Sequence, residues 1–512
     1  MASSPEKPSL GRETLILLAG RGANLALSMV GLVVYPILLG PKAHGTLQYY
    51  LGSFMFLLGL LNGCAAPMLS HFIAIYRVSD PGRQWPFIRQ VFRWFFVMLL
   101  SIWLVYPFLA DRTGFAWIFF GVAVSGTAQL LSSAEYGLGF LGPTTWFPVL
   151  VLFMRVVLIG GYAGMMAATS GPSTIDAWAV EWIPILLLVA SLPSLAWMIL
   201  SFRSRSHTWF DKKVTALAPC ESWFPWHEIK LLGIASLLGQ LIYQIFTRTL
   251  VPLAGQMEFP REQVGYLGLS IQGFALVIYL ASIFSVSAYP WLVSSAEAGE
   301  KERFSEIQAE SWRMSAFLGG WLVAMILGMT RPLIWVVLGE EYHRDINLMT
   351  RLIQIGGIAG GLMLAAEFHL RMLLSLTRMR QYLVALAVGF AFVIPYAAWV
   401  IGWGKGIVLF TCILPLGVGG LLIVSHILAP STPGFFRTSL CAVGCIGFAL
   451  LAGLPANGSS MAGFGLKGLL LTLGYGGLAW LTGLFRKQDL LRVIPARRIQ
   501  SSLYSIFNRP GR

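Results

Sequence analysis

The sequence predicts an all-α polytopic membrane protein with about 14 transmembrane helices. Hydrophobic residues make up 56% of the chain and charged residues only 11%, whereas charged residues form about 25% of a typical soluble domain. The mean hydropathy of +0.72 is correspondingly high. Apolar runs of roughly 19 to 31 residues recur along the chain, and each can cross a hydrocarbon core of about 30 Å as a helix. Because the runs are too long for barrel strands, helices are the spanning form that satisfies the backbone in lipid.

The first two spans show how the apolar runs are delimited. One run extends from Thr14 to Leu39, a turn follows at residues 40–45, and a second run extends from Thr46 to Tyr76. The predicted spans start near Thr14, Thr46, Val91, Gly114, Trp146, Trp178, Ile229, Val264, Trp312, Ile346, Gln381, Gly406, Phe436 and Gly463. Since their number is even, both chain ends are predicted to lie on the same side of the membrane.

The positive charges predict which side that is. Most of the 36 lysines and arginines lie in segments on the side of the N-terminus, including residues 77–93, residues 203–230 and the C-terminal tail. Cytoplasmic segments of membrane proteins carry such an excess, so both termini are predicted to be cytoplasmic. The formal net charge of +14 then reflects loops that lie against anionic membrane lipids, and we expect no nucleic-acid partner.

The residue types that support covalent chemistry form no recognisable motif. The five cysteines are scattered, odd in number and without a C-x-x-C pair, so the sequence predicts neither a disulfide framework nor a zinc site. A nucleophile with its base, a nucleotide-binding loop and a metal-ligand cluster are also absent from the sequence. We therefore expect no cofactor, no metal and no enzymatic activity.

The two halves of the chain look like copies of each other. At one constant offset, Gly45 corresponds to Gly265 and Arg83 to Arg303. Six spans separate equivalent points, so the copies insert in the same orientation, as in the parallel repeats of alternating-access transporters. The predicted domains are an N-terminal lobe of six spans (1–202), a cytoplasmic linker (203–228), a C-terminal lobe of six spans (229–429), two extra helices (430–485) and a basic cytoplasmic tail (486–512).

Three segments resemble one family of membrane proteins. They are "LLGPKAHG" at residues 38–45, "YPWLVSSAEAGEKERF" at residues 289–304 and "LGEEY" at residues 338–342. These segments are similar to corresponding segments of the polysaccharide transporter family, which contains the O-antigen and other lipid-linked oligosaccharide flippases. That family belongs to the multidrug/oligosaccharidyl-lipid/polysaccharide flippase superfamily. The resemblance covers roughly the first 430 residues and leaves the last two spans as an addition.

The resemblance implies both a fold and a function. The fold would be two pseudo-symmetric six-helix lobes in a V-shaped, MATE-like arrangement, with two further C-terminal helices. The protein would lie in the bacterial inner membrane and flip an oligosaccharide on an undecaprenyl-pyrophosphate carrier to the periplasmic leaflet, with coupling to an ion gradient. Its partners would be that lipid-linked oligosaccharide, membrane lipids and proteins of polysaccharide polymerisation or export.

Polar residues inside the spans are the candidates for substrate contacts. A pyrophosphate in a membrane needs cationic partners, and the fork of a guanidinium suits phosphate oxygens. The candidate cavity residues are Arg21, Asn24, Arg155, Gln240, Gln244, Arg248 and Arg371. Two structural alternatives stay open: Arg21 could extend to the cytoplasmic headgroups, and the amides could only hold helices together.

Acidic residues within the spans are scarce. Glu135 and Glu367 fall late in the fourth and tenth spans, which are equivalent positions in the two predicted lobes. Together with His369 they are candidates for ion coupling, and Glu367, His369 and Arg371 could form a proton relay. The structural alternative is an ion pair of Glu135 with Arg155 and of Glu367 with a neighbouring arginine.

Two other functions compete with the flippase. The first is a MATE-like antiporter of small molecules or cations, which would need a compact acidic site, whereas the intramembrane charges here are mainly cationic. The second is a membrane glycosyltransferase, O-antigen ligase or polymerase. Such enzymes generally need a sizeable outer loop, whereas each predicted outer segment of this chain is short.

Overall fold

A computed structural model gives the fold of most of the chain. It describes residues 10–79, 81–109, 113–138, 141–169, 172–209, 239, 249–297, 299–338, 340–376, 378–402, 406–456 and 458–486. In these ranges the regular structure is helical, which confirms the predicted all-α class. The contacts divide the chain into two compact units, unit 1 at Met1–Leu269 and unit 2 at Ser270–Arg512.

Unit 1 contains seven complete helices and the start of an eighth among its described residues. They are α1 (Leu10–Ser79), α2 (Gln84–Leu109), α3 (Thr113–Gly137), α4 (Leu141–Arg155), α5 (Gly161–Thr169), α6 (Pro172–Trp209), α7 (Leu250–Gln256) and the first turns of α8 (Arg261–Glu297). A π-helical turn at Val156–Gly160 joins α4 to α5. A 3-10 turn at Pro81–Arg83 precedes α2.

Helix α1 is two helices joined at a kink. Gly40 has φ 70° and ψ 172°, which are not helical angles, and a positive φ of this kind is cheap only for glycine. Pro41 follows, and proline suits the first position of a helix because that position needs no amide donor. The predicted turn at residues 40–45 is therefore limited to Gly40. We call residues 10–39 the first arm of α1 and residues 41–79 the second arm.

The second arm of α1 forms the centre of the core of unit 1. Leu47, Phe54 and Leu61 are fully buried and recur every two turns, so they lie along one face of the helix. Glycines of α3 provide the space: a Cβ at Gly121 would lie 3.0 Å from the Phe54 ring, and one at Gly126 would lie 2.7 Å from the Phe95 ring. The small residues therefore permit close contact between α3 and its neighbours.

Unit 2 contains the rest of α8 and eight further helices among its described residues. They are α9 (Lys301–Val337), α10 (Ile346–Ser375), α11 (Met379–Ala391), α12 (Ile394–Gly402), α13 (Ile407–Thr411), α14 (Ile413–Leu428), α15 (Phe435–Ala452) and α16 (Met461–Leu481). A 3-10 turn at Glu340–Asp345 precedes α10. Gly356 and Gly360 of α10 face the α8 backbone so closely that a Cβ at Gly356 would overlap the Ser270 carbonyl oxygen.

The last two helices, α15 and α16, pack on α9. The Tyr475 hydroxyl of α16 is fully buried and donates a hydrogen bond to the Phe317 carbonyl oxygen at 2.9 Å. Gly320 leaves the space for this ring, since a Cβ there would overlap the Tyr475 hydroxyl. Cys445 and Ala449 of α15 belong to the same buried cluster. The two helices predicted as an addition therefore share a hydrophobic core with α9.

The described residues contain 11 helical segments that are long and apolar enough to cross a membrane. One of them, Gly22–Ser70 in α1, covers the first two predicted spans. Helix α2 corresponds to the span predicted near Val91, and the span predicted near Ile229 lies outside the described residues. The chain is a multi-pass membrane protein, and the prediction of about 14 spans is compatible with these helices.

The compact units are defined by contacts alone and do not test the predicted division into lobes. Most of the predicted linker, residues 203–228, lies outside the described residues. The contacts divide the chain after Leu269. The physical reason is that the second arm of α1 packs directly against α7 and the first turns of α8, where Gly45, Gly52 and Gly265 bring the backbones together.

Candidate functional site

The predicted cavity residues of the seventh span lie outside the described part of the chain. These residues are Gln240, Gln244 and Arg248. Arg21 lies on the first arm of α1, but its side chain is likewise outside the description. The structure therefore places the side chains of Asn24, Arg155 and Arg371.

Asn24 lies on the first arm of α1, one turn after a close contact with α4. Gly20 makes that contact, because a Cβ there would overlap the methyl group of Thr145. Asn24 is half-buried, and its carbonyl oxygen accepts a hydrogen bond from the Ser28 hydroxyl at 2.8 Å. The first arm therefore packs on α4 at Gly20, and Asn24 lies one turn beyond that contact.

Arg155 is the best-defined buried cation of unit 1. Its side chain is 5% exposed, and its guanidinium carbon lies 4.8 Å from the centre of the Phe54 ring. Tyr35 lies within electrostatic reach of the same group. Because Tyr35 belongs to the first arm of α1 and Phe54 to the second arm, α4 presents Arg155 to both arms.

The backbone after Arg155 is unusual. Residues Val156–Gly160 form a π-helical turn, and such turns are rare and frequent at functional sites. The wider turn changes the helix phase between α4 and α5. The arginine is therefore placed at a local irregularity of the helix.

Glu135 has a partner that the sequence did not predict. It is fully buried near the end of α3 and accepts a hydrogen bond from the Ser201 hydroxyl of α6 at 2.7 Å. Glu135 lies close in the chain to the start of α4, whereas Arg155 lies 14 residues farther along that helix, a rise of roughly 21 Å. The structure therefore places Glu135 against α6, whereas Arg155 faces the two arms of α1.

Several amides and hydroxyls connect neighbouring helices of unit 1. The Asn62 amide donates to the Gln129 side-chain oxygen at 2.9 Å and joins α1 to α3. The Ser125 hydroxyl donates to the Ser191 hydroxyl at 2.8 Å and joins α3 to α6. These contacts are of the type that holds membrane helices together. They favour the structural use of the amides in this part of the molecule.

In unit 2, Glu367 and Arg371 form an ion pair one turn apart on α10. Both side chains are half-buried. The second carboxylate oxygen of Glu367, Oε2, is buried and has no hydrogen-bond partner among the described residues. Tyr382 of α11 lies within electrostatic reach of both charges. The predicted pairing of Glu367 with a neighbouring arginine is therefore present.

His369 does not join this ion pair. At 100° per residue it points about 200° away from Glu367 around the helix, and it is fully buried on the other face of α10. Its Nδ1 atom lies 2.8 Å from the Ala365 carbonyl oxygen, and its Nε2 atom lies 3.0 Å from Nδ1 of His426 on α14. The relay of Glu367, His369 and Arg371 is therefore not assembled in this structure.

The sequence reasoning missed the partners of these groups. Ser201 and His426 are distant in the chain from the residues they bond, Tyr382 lies on the next helix after Glu367, and no local pattern indicates these partners. A buried pair on α1, His44 with Gln48, could have been found from its spacing of one helical turn. In the part of the chain that the structure describes, no group of three or more His, Cys, Asp or Glu side chains could hold a metal ion.

Comparisons with known proteins find similarity in structure but not in sequence. The sequence matches no protein-family model and no curated protein. The structure is similar to the lipid II flippase MurJ in an inward closed conformation, with a TM-score of 0.66 at 13% identity over 94% of this chain and 100% of that chain. The chain has the fold of MurJ.

The MATE transporters share this fold at lower scores. An inward-facing multidrug resistance MATE family transporter of the MOP superfamily gives a TM-score of 0.56 at 13% identity over 84% of this chain and 98% of that chain. A Vibrio cholerae MATE transporter gives a TM-score of 0.53 at 13% identity, over 85% of this chain and 96% of that chain. The comparison with MurJ leaves part of this chain unmatched, and that part contains fewer residues than α15 and α16 have together. The MurJ fold therefore includes at least part of the C-terminal helix pair.

Proposed function

We propose that this chain flips a lipid-linked oligosaccharide of the undecaprenyl-pyrophosphate type from the cytoplasmic to the periplasmic leaflet. The observation that carries the proposal is Arg155, a cation enclosed by α4 and both arms of α1 in a fold that is also found in a lipid II flippase. A buried charge is costly in a membrane protein and commonly marks a substrate or ion pathway. A guanidinium binds phosphate oxygens through two parallel hydrogen bonds.

The substrate class follows from the chemistry of the candidate residues and from the three family-like segments. The pyrophosphate would contact arginines, and the sugar hydroxyls would contact amides. The proposed contacts are Arg21, Asn24, Arg155, Gln240, Gln244, Arg248 and Arg371. Because Arg155 is buried, the substrate reaches it only after the arms of α1 move apart, as alternating access requires.

The ion pair on α10 supports coupling to an ion gradient. Arg371 can bind either the Glu367 carboxylate, as in this structure, or a substrate phosphate. When the phosphate takes the arginine, the half-buried carboxylate loses its counter-ion and needs another cation in its place. Glu367 is therefore the preferred coupling residue, and Glu135 and His369 are the other two candidates.

The surroundings of the protein follow from the same proposal. The charge distribution favours both termini in the cytoplasm, and the proposed substrate implies the bacterial inner membrane. Membrane lipids are its immediate partners. Proteins that polymerise or export polysaccharide would use the flipped product.

A MATE-like antiporter is the second candidate because MATE transporters share the fold. It requires an acidic site for a cation. In the described residues, however, Glu135 is bonded to Ser201 and Glu367 is paired with Arg371. A membrane glycosyltransferase, O-antigen ligase or polymerase is the third candidate function. It is the least favoured, because the two solved structures named above are a flippase and a transporter.

A transport assay with three substrates tests the proposal. The purified full-length chain is placed in proteoliposomes with a fluorescent lipid-linked oligosaccharide, the same oligosaccharide without its lipid pyrophosphate, or a small organic cation. We expect accelerated movement of the first substrate alone, with its mass unchanged, relative to protein-free liposomes. Movement of the organic cation alone would identify an antiporter, and a change in the mass of the lipid would identify an enzyme.

A further inference from the structure

A close crossing of backbones lies at the start of the second arm of α1. A Cβ at Gly265 of α8 would lie 3.1 Å from the Gly45 Cα atom, and one at Gly45 would overlap the Arg261 carbonyl oxygen. A Cβ at Gly268 would lie 2.5 Å from Gln48. We call Gly45, Gly265 and Gly268 the glycine crossing. Side chains larger than hydrogen would separate the two helices there, so the contact depends on glycine.

His44 is enclosed by the glycine crossing. The side chain is 1% exposed, and its Nε2 atom lies 3.0 Å from the Gln48 amide nitrogen. Its Nδ1 atom is buried and has no hydrogen-bond partner among the described residues. A Cβ at Gly265 would lie 3.2 Å from this Nδ1 atom. The second ring nitrogen therefore faces the backbone of α8.

This enclosure suits a neutral imidazole and not an imidazolium. A protonated ring has two N–H donors, and Gln48 can accept only one of them through its side-chain oxygen. The second donor would be a charged, buried group without an acceptor among the described residues, which is strongly unfavourable. Hence the crossing can close only over a neutral His44.

The charged groups of the surrounding elements do not offset this cost. On α1 the nearest charged residue is Lys42, and the first turn of α8 carries Arg261 and Glu262. Helix α7 carries none, and Glu258 lies between α7 and α8. Lys42, Arg261 and Glu258 are exposed and Glu262 is half-buried, whereas His44 is enclosed. Arg261 is also placed over the Tyr49 ring, at 4.9 Å.

We propose that His44 is a proton-binding site that is covered by the glycine crossing and filled from the outer side of the membrane when the crossing opens. The charge distribution predicts residues 40–45 on the outer side. The proposal rests on the proposed transport cycle in one respect, because that cycle requires the outer end to open. A proton bound at His44 then holds the crossing open, since the charged ring cannot be enclosed again.

The size of the effect follows from proton linkage. An exposed imidazole titrates at a pH of about 6.5. If only the open form binds the proton, the ratio of open to closed forms rises by about tenfold between pH 7.5 and pH 5.5. The direction of the effect follows from this. The ratio of open to closed forms is lowest above about pH 6.5 and rises as the pH falls below that value.

Hydrogen–deuterium exchange of the substrate-free chain in lipid nanodiscs tests the proposal. Protection factors, which remove the pH dependence of intrinsic exchange, are measured at pH 7.5 and pH 5.5 for peptides that cover residues 41–52 and 261–269. We expect about tenfold lower protection at pH 5.5. His44→Gln should abolish the pH effect. His343→Gln, which changes a histidine of unit 2 that stacks on Trp335, should leave it intact and is the matched control.

Two results would overturn the proposal. The first is a wild-type protection factor that does not change with pH, which decides the matter even if His44→Gln fails to fold. The second is an equal pH effect in wild type and His44→Gln. Gly265→Ala should lower protection at both pH values, because its methyl group meets Gly45. Since no substrate is present, these outcomes are independent of whether the chain flips a lipid-linked oligosaccharide.

Discussion

Arg155→Ala separates a transport role of the buried arginine from a purely structural one. The substitution removes the contact with the Phe54 ring at 4.8 Å, which contributes about 2 kcal/mol when it is desolvated. It also removes the cost of keeping a charge in a side chain that is only 5% exposed, which is several kcal/mol. Because the two effects oppose each other, we expect the net change in the free energy of unfolding to be smaller than the larger of the two effects.

The effect on transport should be larger. If Arg155 binds the pyrophosphate, its loss removes charge-assisted hydrogen bonds worth about 1.5 to 3 kcal/mol, so substrate binding should weaken by roughly tenfold to a hundredfold. Arg155→Lys should recover only part of the binding because the ammonium lacks the fork geometry. The assay is flipping of a fluorescent lipid-linked oligosaccharide per folded molecule in proteoliposomes.

Arg437→Ala is the control for this test, because Arg437 is an exposed arginine on α15 and its loss should leave flipping unchanged. Normal flipping per folded molecule in Arg155→Ala would refute the reasoning. Unstable protein with normal flipping per folded molecule would assign Arg155 to structure alone.

Three other changes have defined outcomes. Tyr475→Phe removes a buried hydrogen bond to α9 and should lower the free energy of unfolding by about 1 kcal/mol in detergent; an unchanged value would show that the bond does not stabilise the helix pair. Gly356→Leu places a side chain into the α8 backbone and should abolish monodisperse protein on size exclusion, whereas normal yield would contradict that contact. Glu367→Gln removes the partner of Arg371 and should make flipping insensitive to an imposed pH gradient; wild-type sensitivity would exclude Glu367 from coupling.

The fold was largely predictable because bilayer thickness and hydropathy control it. The spans predicted to start near Phe436 and Gly463 correspond to α15, which begins at Phe435, and α16, which begins at Met461. The turn predicted at residues 40–45 is present but shorter, because the positive φ of Gly40 alone interrupts the helix. Backbone conformation of this kind follows from local residue types.

The site was less predictable because it depends on which helix faces meet. The spacing of Glu367, His369 and Arg371 already places His369 on another face, so the failure of the three-residue relay could have been foreseen. The partner of His369 could not, since His426 lies on another helix. The contact of Arg155 with Phe54 likewise depends on the packing of α4 against α1.

Helix α9 is longer than a membrane is thick, and this has a consequence for movement. Its 37 residues extend about 55 Å, against a hydrocarbon core of about 30 Å. Near its start, Trp312 stacks on Phe435 with ring centres 4.7 Å apart, and farther along it accepts the hydrogen bond from Tyr475. Farther along α9, a Cβ at Gly328 would lie 2.7 Å from Leu471 of α16 and 3.3 Å from Leu450 of α15. Both helices are therefore attached to α9 at two depths and cannot tilt independently of it. Any swing of α9 therefore carries both helices through the lipid with it, so the surrounding bilayer must deform around three packed helices rather than around a single helix.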